Sequence, residues 1–251
     1  MSWNDRLDAT LATLREAEQL SPAALATSLG VEDMLLLDLI ARHALKIDAF
    51  TLDTGRLAAQ THDLIARAEE RYRRRIRVMF PLTDAVQQYV RINGVNGFFL
   101  SKPQRQDCCE IRKLEPLKRA LAGKKSWVTG LRREQSEARA QVVRREEDVT
   151  FGLIKFNPLI EWTEQEVWDY VRAHDVPYSP LHDQGYPSIG CAPCTRAVAP
   201  GEPARAGRWW WEQDAAKECG IHVSSGGEKP PAPPGAPDEG MHKIVSSKEL
   251  A

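Results

Sequence analysis

The residues best suited to chemistry in this chain are its five cysteines. Four fall in two pairs, the adjacent Cys108 and Cys109 and the C-x-x-C of Cys191 and Cys194, while Cys219 stands alone toward the C-terminus. Two thiol pairs separated by a long stretch supply the donor set of either a structural zinc or a [4Fe-4S] cluster. The vicinal pair weighs toward the cluster, because zinc loops space their ligands by a few residues so that the backbone can turn around a tetrahedral ion. Lys102, Arg105, Arg112 and Lys113 flank the pair and can offset thiolate charge or donate to sulfur. A plainer alternative makes Cys108 and Cys109 small buried hydrophobes on a helix and Cys191 and Cys194 a redox pair. Cys219, in Glu218-Cys219-Gly220-Ile221-His222 with Lys217 upstream, has neighbours that favour a thiolate, against the reading that it is a spare cysteine.

Three loops carry groups that could grip an anion. Ser28-Leu29-Gly30-Val31-Glu32-Asp33 lies between an apolar run and a helical period, with Gly30 permitting close approach and Ser28 offering a hydroxyl; a plain helix start with acidic first-turn residues is the competing reading. Asp53-Thr54-Gly55-Arg56 puts a carboxylate, a glycine and a guanidinium on one turn. Gly130-Leu131-Arg132-Arg133-Glu134-Gln135-Ser136, with Arg139 beyond, offers arginines that bind phosphate or sulfate bidentately, or else form a solvated helix start.

The elements that position these loops alternate. Apolar runs LATSL, KIDAFTLD, IRVMF and SWVTGL read as strands, and MLLLDLIARH, AAQTHDLIARAEERY and TDAVQQYVRI as the helices between them, after a first helix over residues 4–20. WTEQEVWDYVRAH opens on a capping box of Thr163 and Glu166. Strand-helix alternation predicts an α/β fold, a mostly parallel sheet flanked by helices, over residues 1–200. All three loops then follow strands, where open α/β sheets bind ligands. Residues 201–251 hold Pro and Gly clusters without sustained period and read as a mobile tail that carries Cys219. The basic run of Arg71, Arg73, Arg74, Arg75 and Arg77 falls at a helix end and reads as a solvated face.

With 34 Lys plus Arg against 35 Asp plus Glu, the net charge of -1 leaves no overall field for nucleic acid or an anionic membrane, so any anion site must be local. The N-terminus is amphipathic and acidic, unlike an export signal, which predicts the reducing cytoplasm, where structural disulfides are disfavoured.

Taken together, S-L-G-V-E-D, L-D-T-G-R, C-C-E-I-R-K, G-L-R-R-E-Q-S, G-C-A-P-C-T-R, R-A-G-R-W-W-W-E and E-C-G-I-H resemble the motifs of the bacterial assimilatory adenylyl-sulfate (APS) reductases, relatives of the PAPS reductases, from about residue 25 to residue 222 and in the family's order. The resemblance implies the fold of the PP-loop nucleotide-binding enzymes, and reduction of adenosine 5'-phosphosulfate (APS) to sulfite and AMP with electrons from thioredoxin. It implies Cys219 as nucleophile and Cys108, Cys109, Cys191 and Cys194 as ligands of one [4Fe-4S] cluster per subunit. Lys113 matches the family's basic residue near the cluster. Ser28, Gly30, Glu32, Asp33, Asp53, Thr54, Gly55, Arg56, Arg132, Arg133 and Gln135 match its nucleotide and phosphosulfate loops, and Arg205, Arg208 and His222 match residues that close over substrate.

The first loop lacks the S-G-G-x-D-S of ATP-cleaving PP-loop enzymes, which speaks against a tRNA-thiolating enzyme, as does the near-neutral charge. A PAPS reductase shares E-C-G-I-H but not the two cysteine pairs. A non-catalytic nucleotide-sensing module stabilised by zinc is the alternative from another class. Oligomeric state, a homo-oligomer included, is not legible in these residues.

Overall fold

The computed structural model describes residues 3–212. Six strands, β1 (Ala23–Ala26), β2 (Ile47–Leu52), β3 (Ile76–Met79), β4 (Ser126–Val128), β5 (Arg145–Asp148) and β6 (Leu153–Phe156), form one sheet in the order β3-β2-β1-β4-β6-β5. Every pairing is parallel except that of the edge strand β5 with β6. The chain winds outward from β1 through β2 to β3, then returns to the other side of β1 with β4. Strand order therefore reverses between β1 and β4, and the loops leaving these two strands flank a crevice.

Alternation along the strands sends side chains to two cores. Leu25, Ile47, Ala49, Val128 and Phe156 face the larger core, built with α1 (Trp3–Gln19), α2 (Val31–Arg42), α3 (Ala59–Tyr72) and α7 (Glu164–Ala173). Ala24, Phe50, Trp127 and Leu153 face a smaller one closed by Leu117, Ala120 and Leu121 of α6 (Glu115–Leu121). Helix α2 is buried from Asp33 through Ile40, as its nearly continuous apolar run requires of a helix in the middle of a layer. Helix α7 opens on the expected capping box, with Thr163 Oγ1 accepting from Glu166 N at 3.2 Å and Glu166 Oε2 accepting from Thr163 N at 2.8 Å.

Between α4 (Thr83–Asn93) and β4, helix α5 (Lys102–Cys109) runs through a π-helical turn, Glu110–Leu114, into α6. Pro116 stands at the start of α6, where its missing N–H removes an α-helical hydrogen bond. Two expectations change. The basic run is partly structural: Arg74 donates to the carbonyls of Leu45 at 2.9 Å and Ile47 at 3.0 Å, and Arg77 to that of Ala120 at 2.6 Å, closing strand and helix ends that would otherwise lack donors. Residues 201–212 are not tail-like. Trp209 is buried, Arg196 N donates to Gly207 O at 3.0 Å, and Thr195 bridges Arg208, so the packed domain continues through Glu212. Among the described residues no helix is long and apolar enough to cross a membrane.

Candidate active site

The crevice at the strand-order reversal opens into a pocket of about 620 Å³. In its first loop the Asp33 carboxylate accepts from Ser28 N at 2.6 Å and Ser28 Oγ at 2.7 Å, folding the turn back onto α2, while Leu29 adopts a left-handed φ of 63°. Burial pushes the Asp33 carboxyl up to about 6 against these donors. Gly130, after β4, donates its N–H to the same carboxylate, and a Cβ there would stand 2.4 Å from Asp33 Oδ1. A glycine at 130 is thus the condition for the two loops to meet.

The third loop supplies an internal network. Arg132 is buried and donates from Nε to Glu32 Oε1 at 2.9 Å and from Nη1 to Glu134 Oε2 at 2.9 Å; Gln135 Nε2 reaches the same Glu32 oxygen at 2.9 Å. Ser28, Gly30, Glu32, Asp33, Thr54, Lys113, Arg132, Gln135, Arg205 and Arg208 all line the pocket. Asp53, Gly55, Arg56 and Arg133 are not among its lining residues. Arg133 instead pairs with Glu161 and donates to Val142 O at 3.1 Å. Asp53 accepts from Gly55 N at 2.8 Å and stands 2.9 Å from His62 Nε2.

The second loop turns toward the cysteines. Thr54 Oγ1 lies 3.2 Å from Cys191 Sγ, Thr54 O accepts from Arg112 Nη1 at 2.6 Å, and Arg56 O accepts from Ala192 N at 2.8 Å. The Arg56 guanidinium sits 5.0 Å from the centre of the Phe98 ring and donates to Val95 O at 2.7 Å. Cys108, Cys109, Cys191 and Cys194 line one small cavity together with Arg56, Arg105, Arg112, Lys113, Phe98, Pro193 and Trp209. The vicinal pair gains access to it at the junction of α5 with the π-helical turn, and the C-x-x-C pair on a tight turn in which Cys194 N donates to Cys191 O at 2.9 Å.

All four cysteines are free thiols. Burial, then the neighbouring cysteines, pushes Cys108 up to about 11 and Cys194 up to about 12. Among the described residues no three His, Cys, Asp or Glu side chains converge as they would on a single ion. Four thiols spread around a cavity edged by cationic side chains fit a larger, anionic group better than a lone zinc. The cavity also touches the pocket: Lys113, Cys191 and Trp209 line both.

Several pocket residues escaped the sequence reading. Arg139, noted there only as lying beyond the third loop, is buried on the pocket wall beside Gln135. His182 lines the pocket, its Nε2 buried without a hydrogen-bond partner and its imidazole held below the ordinary range by burial. Trp168 and Tyr178 pack around it, and nothing in the spacing of these three marks them out. Gly190 lets the Arg208 guanidinium through, since a Cβ there would lie 2.2 Å from Arg208 Nη2. Cys219 and His222 lie outside the described residues.

A parallel sheet with its pocket at the strand-order reversal, and a thiol-lined cavity opening onto that pocket, defines an α/β nucleotide-binding enzyme with a sulfur-rich centre. Residues 22–197 match the phosphoadenosine phosphosulfate reductase domain, and the chain belongs to that family of sulfur-group reductases. It is 57% identical over 204 residues to the adenosine 5'-phosphosulfate reductase of Allochromatium vinosum, covering 81% of this chain and 80% of that one. Against the protein of the same name from Burkholderia cepacia it is 51% identical over 221 residues, 88% of each. Among solved structures, the phosphate complex of phosphoadenylyl-sulfate (PAPS) reductase from Candida auris superposes with a TM-score of 0.64 at 26% identity, over 75% of this chain and 90% of that one. FMN adenylyltransferase of Candida glabrata, in complex with FMN and an ATP analogue, superposes at 0.50 with 14% identity, over 86% of this chain and 73% of that one, and shares the fold.

Proposed function

We propose that this chain reduces adenosine 5'-phosphosulfate to sulfite and AMP. The observation that carries the reading is the shared wall of pocket and cavity, where Lys113, Arg205 and Arg208 line a nucleotide-sized pocket beside the four cysteines. The two relatives compared above, both named for this substrate and each covered over most of its length, support it.

In this reading Ser28, Gly30, Asp33 and Thr54 hold the nucleoside at the strand ends, and Arg132, Arg205, Arg208 and Lys113 hold the phosphosulfate. Glu32 and Gln135, on the pocket wall, hold Arg132 in place, and Asp53, Gly55 and Arg56 support the second loop from behind, while Arg133, paired with Glu161, takes no part. The Cys219 thiolate attacks the sulfate sulfur, the bond from sulfur to the bridging oxygen breaks, and its electron pair leaves on AMP. Arginines that neutralise the phosphate make AMP a better leaving group. The product is a Cys219 thiosulfonate. A dithiol protein, thioredoxin, then attacks Cys219 Sγ and expels sulfite; its second thiol resolves the mixed disulfide and restores the Cys219 thiolate. Two electrons pass from the dithiol to sulfur. His222, beside Cys219 in the same motif, would contact the same substrate.

Cys108, Cys109, Cys191 and Cys194 would hold one [4Fe-4S] cluster, which supplies a fixed charge beside Lys113 and ties α5 to the C-x-x-C turn. A dithiol donor must itself be kept reduced for repeated turnover, which favours the reducing cytoplasm.

Incubation of the iron-replete protein with sulfur-labelled APS and no reductant tests the reading. Label is expected on Cys219, released as sulfite by reduced thioredoxin. Label on no cysteine, or undiminished turnover by Cys219→Ser, would overturn it.

A further inference from the structure

His182 lines the pocket, yet the chemistry above gives it no part. Its Nε2 is buried and has no hydrogen-bond partner among the described residues. The other side of the ring is engaged: it hydrogen-bonds the backbone of Tyr186, whose carbonyl, as acceptor, favours a proton on Nδ1. Burial outweighs that carbonyl, Glu32 and Asp183 and holds the imidazole below its ordinary range, so at about pH 7 the ring is neutral and Nε2 carries a lone pair. Leaving a buried acceptor unpaired is costly, so one on the wall of a ligand pocket points to a donor supplied by the ligand.

The rest of the lining decides which donor that is. Ala26, Phe50, Leu52 and Leu117 line the pocket from the smaller core, at the ends of β1 and β2, and make an apolar slot for a flat base. Lys113, which also lines the cysteine cavity, and Arg208, which passes Gly190 next to Cys191, suit the phosphosulfate. His182 belongs to neither region. Its ring neighbours Trp168 and Tyr178, at centroid distances of 5.4 and 6.5 Å, pack on the larger core, across the sheet from the slot. A nucleotide with its base in the slot and its 5'-phosphate among the cations turns its ribose hydroxyls to the remaining wall, where His182 and Glu32 stand.

We propose that His182 is a substrate-binding residue whose Nε2 accepts a hydrogen bond from a ribose hydroxyl of the nucleotide, so that the pocket selects its ligand by the sugar as well as by the phosphosulfate. The inference rests on the reading that the pocket holds an adenine nucleotide. The side chain is half-buried on the pocket wall, which leaves it room to turn Nε2 toward a ligand. A packing role alone would be met by the contacts with Trp168 and Tyr178 and would need no acceptor at Nε2.

The test is calorimetric titration of the iron-replete full-length protein with AMP, 2'-deoxy-AMP, 3'-deoxy-AMP and IMP. Wild type is expected to bind one of the two deoxynucleotides about tenfold more weakly than AMP, the size of one lost hydrogen bond to a buried group. His182→Phe keeps a ring between Trp168 and Tyr178 but offers no acceptor. It is expected to weaken AMP by about tenfold and that deoxynucleotide by no more than about twofold, so that the two bind nearly alike. His182→Gln, whose amide oxygen can accept, should keep part of the preference. A purely structural role would weaken every ligand together and leave the preference intact. The wild-type titrations involve no substitution, so they read the hydroxyl even if a variant folds poorly. Equal affinity of wild type for AMP and both deoxynucleotides, or an undiminished preference in His182→Phe, would overturn the proposal. So would a change confined to AMP against IMP, which would put His182 at the base. Failure of wild type to bind AMP at all would instead defeat the adenine-nucleotide reading, and this inference with it.

Discussion

The two ends of the pocket are built in opposite ways. At the strand-order reversal, charge is answered inside the chain: Ser28 and Gly130 donate to Asp33, while Glu32 and Glu134 hold Arg132 and Glu32 also receives Gln135. At the other end, four thiols, three of them buried, face one cavity without a disulfide, and burial with the neighbouring Cys109 and Cys191 raises the cost of ionising Cys108 and Cys194. Folding alone organises the first end. The second has donors and compensating cations, and in the proposed reading a bound cluster would take its thiols as thiolates. Coupling of metal binding to folding follows wherever the ligands must be deprotonated together.

The comparison breaks most visibly at Cys194. Cys194→Ala removes one donor, and iron and visible absorbance are expected to fall together, with the urea unfolding free energy lower by more than about 3 kcal/mol. Iron analysis and equilibrium unfolding of both proteins check this. A wild-type protein free of iron and no more stable than the variant would show that the cavity is a self-sufficient core.

The contrast also explains what could be read from residues alone. Strands β1 to β4, helices α1 to α4 and the capping box at Thr163 were legible because each rests on local periodicity or local hydrogen bonding, whereas β6, parallel to β4, and helices α5 and α6 were not read. Strand β5 was not, since Arg-Glu-Glu-Asp on a sheet edge faces solvent and carries no apolar pattern. Residues 201–212 carry the Pro and Gly of a tail, yet Trp209 and the Arg105 pair with Glu212 seat them by contacts about a hundred positions away. The same distance effect redirected the second loop. Its motif was visible, but the bond from Ala192 N to Arg56 O, which turns Arg56 toward the cysteines, joins segments that only the fold brings together.

At the organised end, Asp33 offers a test through pH. Its carboxyl is raised from 3.8 to about 6, chiefly by burial, so the folded state binds its proton more tightly than the unfolded chain does. The stability this contributes is complete below pH 4 and is lost as pH climbs to about 6. Through linkage the swing is of order 2 to 3 kcal/mol. Asp33→Asn carries no such proton, so the stability of wild type relative to the variant should decline across that window and then level off, as followed by urea unfolding from pH 4 to pH 7. A flat difference would mean that Ser28 and Gly130 fully offset the burial of the charge, and the organised end would then be better solvated by its own donors than its geometry implies.

The smallest expected effect lies one residue from the network. Arg132 and Arg133 are neighbours in the same motif, but only Arg132 faces the pocket; Arg133 is 39% exposed and pairs with Glu161, itself 43% exposed. An exposed ion pair is worth under about 1 kcal/mol, and long side chains on a surface lose much of that to entropy and salt. Arg133→Ala should therefore change unfolding free energy by less than about 1 kcal/mol and leave KM for APS unchanged, measured at low and high salt so that a residual charge effect would appear as salt dependence. A clear rise in KM would mean that the third loop turns Arg133 inward when ligand binds. The organised end would then be completed by its ligand as well, and the contrast with the cysteine cavity would be one of degree.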